Sequence, residues 1–226
     1  MDLGLEGRRT LVVGASEGIG LAAGRQMAGE GAELILCSRS AGKLERAADS
    51  IAQGAARPAI LAVDVTEKGA AATIAEAVAA RWDGLNSLVF AVGGSIRAAF
   101  EDLDEEAWLD HYRANVLCAV STVRALLPLL RRGKSPSIVI LGAAAAKMPY
   151  PHQVVSNVHK AGLLGLVKTL AFELAGEGIR VNGVGPGRTL TALWTNRADA
   201  ISAERSTYRD TIVSEFSKDI PRYRFS

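Results

Sequence analysis

Cysteine is scarce in this chain: Cys37 and Cys118 are the whole complement among 226 residues. One ends an apolar run and the other sits inside a helical pattern. Both read as small buried hydrophobes, which excludes a disulfide framework and fits a reducing, cytoplasmic setting. Charge of one sign is lacking as well. The formal net charge is +2, and the arginines are dispersed without interleaved aromatics. That gives no electrostatic footprint for nucleic acid or for an anionic membrane surface. No run of ~18 apolar residues occurs, so no membrane span is expected. The first nine residues are short and mixed in charge, so they are no signal peptide. Repeats, low-complexity tracts and linkers are missing too, and no metal site is read. Residues 1–226 are therefore expected to form a single domain.

What is present is an ordinary globular composition, 49% apolar and 22% charged, in a chain long enough for a sizeable core. Apolar β-type runs at 10–13, 33–38, 59–63, 87–91, 137–141 and 179–184 alternate with helical patterns. The helices are expected over 19–30, from a Ser40 cap to about 53, and over 66–82, 104–130 and 154–175, with Pro128 bending or ending the fourth. This alternation predicts an α/β fold: a doubly wound parallel sheet in a Rossmann-type three-layer αβα sandwich. From Arg188 the chain turns polar and contains no convincing strand.

Gly14-Ala15-Ser16-Glu17-Gly18-Ile19-Gly20 lies between the first strand and the first helix. Its first glycine suits a tight turn. The others let backbone N–H groups and a helix N-terminus approach a pyrophosphate. A dinucleotide site is implied by that context more than by the spacing alone. The second strand ends in Ser38-Arg39 where a carboxylate would select an unphosphorylated ribose. An arginine there can pair with a 2′-phosphate through its planar fork. NADP(H) is therefore favoured over NAD(H), although Glu17 adds a negative charge to the loop.

Together with several motifs later in the chain, this loop resembles the short-chain dehydrogenase/reductase superfamily. Asp64-Val65 resembles the pair that contacts the adenine, and Phe90-Ala91-Val92-Gly93 holds the place of Asn-Asn-Ala-Gly. Asn115 falls where the family keeps its active-site asparagine. Val181-Asn182-Gly183-Val184-Gly185-Pro186-Gly187, with Thr191 after it, resembles Val-Asn-x-Val-x-Pro-Gly and its following threonine. The resemblance implies that Gly14, Ser16, Glu17, Gly18, Ile19, Gly20, Ser38, Arg39, Asp64, Val65, Ala91, Gly93, Lys160, Pro186, Gly187, Thr189 and Thr191 hold the cofactor. It also implies hydride transfer between that cofactor and a small carbonyl or alcohol, and a homo-oligomer, dimer or tetramer. Residues 188–226 would cover the substrate, and the C-terminus looks truncated, because a further helix and strand normally come after a segment like 220–226.

The chemistry departs from the family. Its Tyr-x-x-x-Lys reads Ser156-Asn157-Val158-His159-Lys160, and its loop serine is an alanine, Ala143. Ser156 and Lys160, four apart, share a helix face. An alkoxide formed by hydride transfer still needs an acid. Tyr150, His152 and His159 are the nearby candidates, and His152 is the preferred one because a histidine titrates in the right range. The expected catalytic set is Asn115, Ser156, Lys160 and His152. The same substitutions leave open a dinucleotide-binding protein without redox turnover, acting as a sensor or partner subunit, and a non-redox lyase or isomerase.

Overall fold

Strand β1 (Arg9–Val13) sends its side chains alternately to two cores. Leu11 and Val13 join Phe90, Ile138 and Ile140 on one face of the sheet, while Val12 joins Leu34, Leu36 and Leu44 on the other. A strand buried on both faces reads as a continuous apolar run, which is why its period-2 pattern is silent in the sequence. The computed structural model describes residues 3–218. They fall into two compact units, one ending at Gly185 and a second beginning at Pro186.

In the first unit β1 is joined by β2 (Glu33–Ser38), β3 (Ala59–Ala62), β4 (Ser87–Phe90), β5 (Ser137–Leu141) and β6 (Arg180–Val184). The strand order is β3-β2-β1-β4-β5-β6 and every pair is parallel. Helices α1 (Gly18–Gly29), α2 (Ala41–Ala52), α3 (Ala70–Arg81), α4 (Glu105–Tyr112), α5 (Cys118–Arg132) and α6 (Val154–Glu173) connect them. Each fully buried Leu, Ile or Phe contributes about 1.5–3 kcal/mol, so the two apolar layers hold the sandwich together. The order reverses between β1 and β4, where Val13 pairs with Phe90. Gly14 and Ala91 therefore leave the sheet side by side, and Ala91 N–H donates to Val13 O at 2.8 Å. A switch point of this kind places a ligand crevice beyond the carboxyl ends of these two strands.

One helix expectation is corrected. The helix expected from 66 begins at Ala70, because the Asp64 carboxylate accepts from the Thr66 N–H (3.0 Å) and hydroxyl (2.7 Å) and Gly69 takes φ 87°. The stretch expected as one helix over 104–130 is one, Glu105–Arg132, in which α4 and α5 are joined through a π-helical turn over Arg113–Leu117. Of the two readings of Pro128, bending or ending the helix, the second is set aside, since α5 runs on to Arg132. Glu105–Arg132 is long and apolar enough, by length and composition, to cross a membrane. Half of its apolar window is buried, and Ala119, Val123, Leu126 and Leu130 lie in the core.

The second unit carries α7 (Ala192–Glu204) and α8 (Arg209–Ser217), in the polar stretch where the sequence offers no convincing strand. Trp194 and Phe216 meet edge to face at 5.3 Å, and the Arg188 guanidinium donates to Phe216 O at 2.5 Å. Residues 219–226, which include the truncated-looking end at 220–226, lie outside the described residues.

Candidate active site

The glycines at the switch point are there because nothing larger fits. Gly14 has φ 83°, and a Cβ on it would sit 2.7 Å from Ala91 O. A Cβ on Gly20 would run into the Gly14 carbonyl. The loop is tied to β2 by Gly14 N–H and Ala15 N–H, which both donate to Cys37 O at 2.8 and 3.2 Å. Glu17 is the N-cap residue of α1, but its side chain caps nothing. Gly18 comes next, at φ 60°. Ser16 and Ile19 complete the turn, leaving the helix N-terminus to an anion. These residues fit a pyrophosphate-bearing cofactor.

The Glu17 carboxylate instead pairs with Lys43 Nζ at 2.9 Å. Sequence reasoning misses Lys43, although its cue is present: Ser40 Oγ accepts from Lys43 N–H at 3.4 Å and so fixes the first turn of α2. Both partners are half exposed, so the pair contributes little and exchanges easily. Beside it Ser38 Oγ is buried without a partner. Asp64 is held below the usual carboxylate range by the Thr66 N–H, the Thr66 hydroxyl and, more weakly, the Arg39 charge. Lys43 thus engages the one carboxylate of the loop, the Arg39 charge reaches Asp64, and Val65 packs against the core next to Asp64.

Lys160 is 7% exposed on α6, and its Nζ occupies the space that a Cβ on Gly93 would need. The same Cβ would come within 3.0 Å of Asn115 Oδ1. Gly93, Asn115 and Lys160 therefore form one close-packed junction. Asn115 is fully buried; its Oδ1 accepts from Gly94 N–H at 2.8 Å, and its Nδ2 has no partner. The π-turn that carries it closes by Cys118 N–H donating to Arg113 O, a distortion common at functional sites. Burial pushes the Lys160 ammonium below its ordinary value, with the Cys118 thiol acting weakly the other way. Ser156, one helical turn earlier, is 5% exposed. Ala143 sits on the loop after β5 in extended backbone and presents no hydroxyl.

The three candidate acids are separated. His159 is buried between Trp108 and Tyr112 of α4, with ring centroids at 5.7 and 5.4 Å. Burial, and then the charges of His111 and Lys160, push it below its usual range, so it holds α6 on α4 as a neutral ring. Tyr150 is half-buried, and its backbone exchanges hydrogen bonds with the Asn157 side chain at 3.3 and 2.9 Å. His152 is exposed with φ 58°, unusual for a side chain with a Cβ. Its carbonyl accepts from Ala98 N–H at 3.2 Å, joining the loops after β4 and β5. Pro186, Gly187, Thr189 and Thr191 lie in the second unit, where Thr191 is the N-cap residue of α7.

A glycine-lined switch point backed by a buried lysine and asparagine defines a nicotinamide-binding α/β protein. The short chain dehydrogenase family matches residues 8–202, and the chain belongs to that family; it is an NAD(P)-dependent oxidoreductase. It is 28% identical over 219 residues to the uncharacterized oxidoreductase YvrD of Bacillus subtilis, covering 96% of this chain and 82% of that protein. Dehydrogenase/reductase SDR family member 4 of Sus scrofa is 31% identical over 204 residues, covering 86% and 71%. Among solved structures, L-sorbose reductase from Gluconobacter frateurii, complexed with NADPH and L-sorbose, superposes with a TM-score of 0.96. It is 29% identical and covers 100% of this chain and 87% of its own. The RhlG/NADP complex of Pseudomonas aeruginosa gives 0.89 at 28% identity, covering 98% and 85%.

Proposed function

We propose that this oxidoreductase prefers NADP(H) and interconverts small carbonyl compounds and alcohols with a rebuilt proton donor. The observation that carries the reading is the Gly93–Asn115–Lys160 junction, which keeps a buried ammonium beside the crevice while the family's tyrosine and serine are gone. The bound nicotinamide supplies or accepts the hydride. Lys160 binds the ribose hydroxyls next to it, and the unpartnered Asn115 Nδ2 is placed to hold a water. His152 donates the proton from the loop, and Ser156 relays it from the same helix face as Lys160. At the adenosine end Arg39 and Lys43 hold the 2′-phosphate, with Ser38 Oγ donating to it. Asp64 and Val65 meet the adenine; Pro186, Gly187, Thr189 and Thr191 meet the nicotinamide side. Relatives solved with NADPH or NADP support the cofactor choice. We further propose that 1–226 acts as one cytoplasmic domain in a homo-oligomer, with 188–226 covering the substrate.

Two measurements test this. Calorimetric titration should give NADPH at least about tenfold tighter binding than NADH. Arg39→Ala and Lys43→Ala should each weaken NADPH about tenfold and spare NADH, as loss of a charge-assisted phosphate contact predicts. Equal affinities would overturn the preference. His152→Ala should then lower ketone turnover about 100-fold or more, within the range for a lost general acid. NADPH binding without turnover on any carbonyl compound would favour the silent binder, the reading that Ala143 and Ser156 otherwise support.

A further inference from the structure

A cavity of about 400 Å³ opens between the ends of β5 and β6 and the flank of α6. It starts at the chemistry, because Ala143 and Lys160 both line it. Beyond them the wall is Leu163, Leu164, Val167 and Met148. Among the described residues, no lining side chain carries a hydroxyl, an amide or a carboxylate, and the only charges on it are the ammonium groups of Lys147 and Lys160.

The space is made by missing side chains. Gly142 and Gly183 line it, and neither has a positive φ. A Cβ on Gly183 would meet the Val167 methyls at 3.5 Å, and one on Gly142 would meet Val184 O at 3.6 Å, both ordinary contact distances. The backbone does not demand either glycine, so a methyl group would fit at both. What the glycines leave is an apolar recess ending at the position of the absent family serine.

We propose that the substrate is an apolar ketone, or the matching secondary alcohol, whose hydrocarbon chain lies in this cavity. This rests on the reading of the site as a carbonyl reductase. The ketone carbon takes a hydride from the reduced cofactor and its oxygen takes a proton, giving the alcohol and the oxidised cofactor. A polyol fits poorly, since its hydroxyls would be buried without partners. A cationic substrate is repelled by the two lysines. At about 30 Å³ for each non-hydrogen atom, the volume of a water in the liquid, the cavity takes on the order of a dozen such atoms.

The test uses the full chain with NADPH, the 2-alkanones from propanone to 2-decanone, and L-sorbose. Each methylene buried should raise kcat/KM about fourfold until the cavity is full. The variant Gly142→Ala/Gly183→Ala should flatten that rise for the longer ketones and leave propanone and NADPH affinity unchanged. Thermal shift of the wild-type protein with the same ketones gives a second readout that needs no turnover. A flat response to chain length in both assays overturns the proposal. Turnover of L-sorbose without a rise along the alkanones also overturns it, while leaving the reductase reading intact. A thermal shift that grows with chain length and disappears in the double variant, with no turnover, keeps the cavity as an apolar ligand site and overturns the reductase reading.

Discussion

At Lys160 binding and stability pull against each other. The ammonium is 7% exposed and packed against Gly93 and Asn115, and burial lowers its affinity for a proton. The unfolded chain binds that proton more tightly, so the native state carries a cost at neutral pH. The cost shrinks as pH rises toward the ordinary lysine value of 10.5. Lys160→Met keeps the length of the side chain and removes the charge. Its Tm should rise, by about 2–4 °C for each kcal/mol relieved in a chain of this size, while NADPH binding falls by tenfold or more. An unchanged or lower Tm, read by calorimetry without cofactor, would show that Lys160 is stabilised by partners other than the ligand. His159 carries the opposite lesson. Its sequence position beside Lys160 suggests chemistry, but Trp108 and Tyr112 from another helix hold its ring in packing.

Elements whose ends are set by neighbouring residues are legible in the sequence. Ser40 reads as a cap, and it is one: its Oγ accepts from Lys43 N–H at the start of α2. The six strands are legible because their apolar runs are bounded by turn residues. The late start of α3 is missed although its cause is equally local: the Asp64 side chain competes for the Thr66 N–H two residues on. The π-turn is not legible, since nothing local in Arg113–Leu117 requires it; the close packing of Asn115 against Gly93 and Lys160 is a tertiary fact. Helices α7 and α8 stay hidden because polar and apolar residues mix around them without a stripe. Of the site, the glycine loop, Arg39, Asn115 and Lys160 are visible, whereas Lys43 needs the fold to bring it to Glu17. The cap makes an element-scale prediction. Ser40→Ala should cost about 1 kcal/mol and lower Tm by about 2–4 °C. Because Lys43 sits in the turn it fixes, the ratio of NADPH to NADH affinity should fall as well. A stability loss with the ratio intact would place Lys43 away from the phosphate.

For the whole molecule, acid should act before the carboxylates titrate. His159 is 5% exposed, and burial holds it below its ordinary value of 6.5. The unfolded chain therefore binds more protons in the window just below 6.5, and stability is lost as pH falls through it. Asp64 and Glu177 are also held low, by the Thr66 donors and by Arg131 respectively. Their contributions are present above 3.8 and 4.5 and are lost only at lower pH, as each carboxylate takes up its proton. Both carboxylates are solvent-facing, so their share is small and salt-sensitive. The two cysteines report the opening directly. Burial pushes the Cys37 thiol up to about 12 and the Cys118 thiol up to about 11, and both belong to one apolar core. In the folded chain they should resist labelling by a disulfide exchange reagent, and they should react when the core opens. Samples held in intermediate urea at pH 7 and at pH 5.5, then labelled at one common pH, should show more open protein after the acid incubation. His159→Phe keeps an aromatic ring between Trp108 and Tyr112 and has no proton to take up. Its labelling should change much less between the two pH values. If the variant opens with acid as far as the wild type does, the early acid sensitivity belongs to another group, and His159 is held neutral by less than its burial implies.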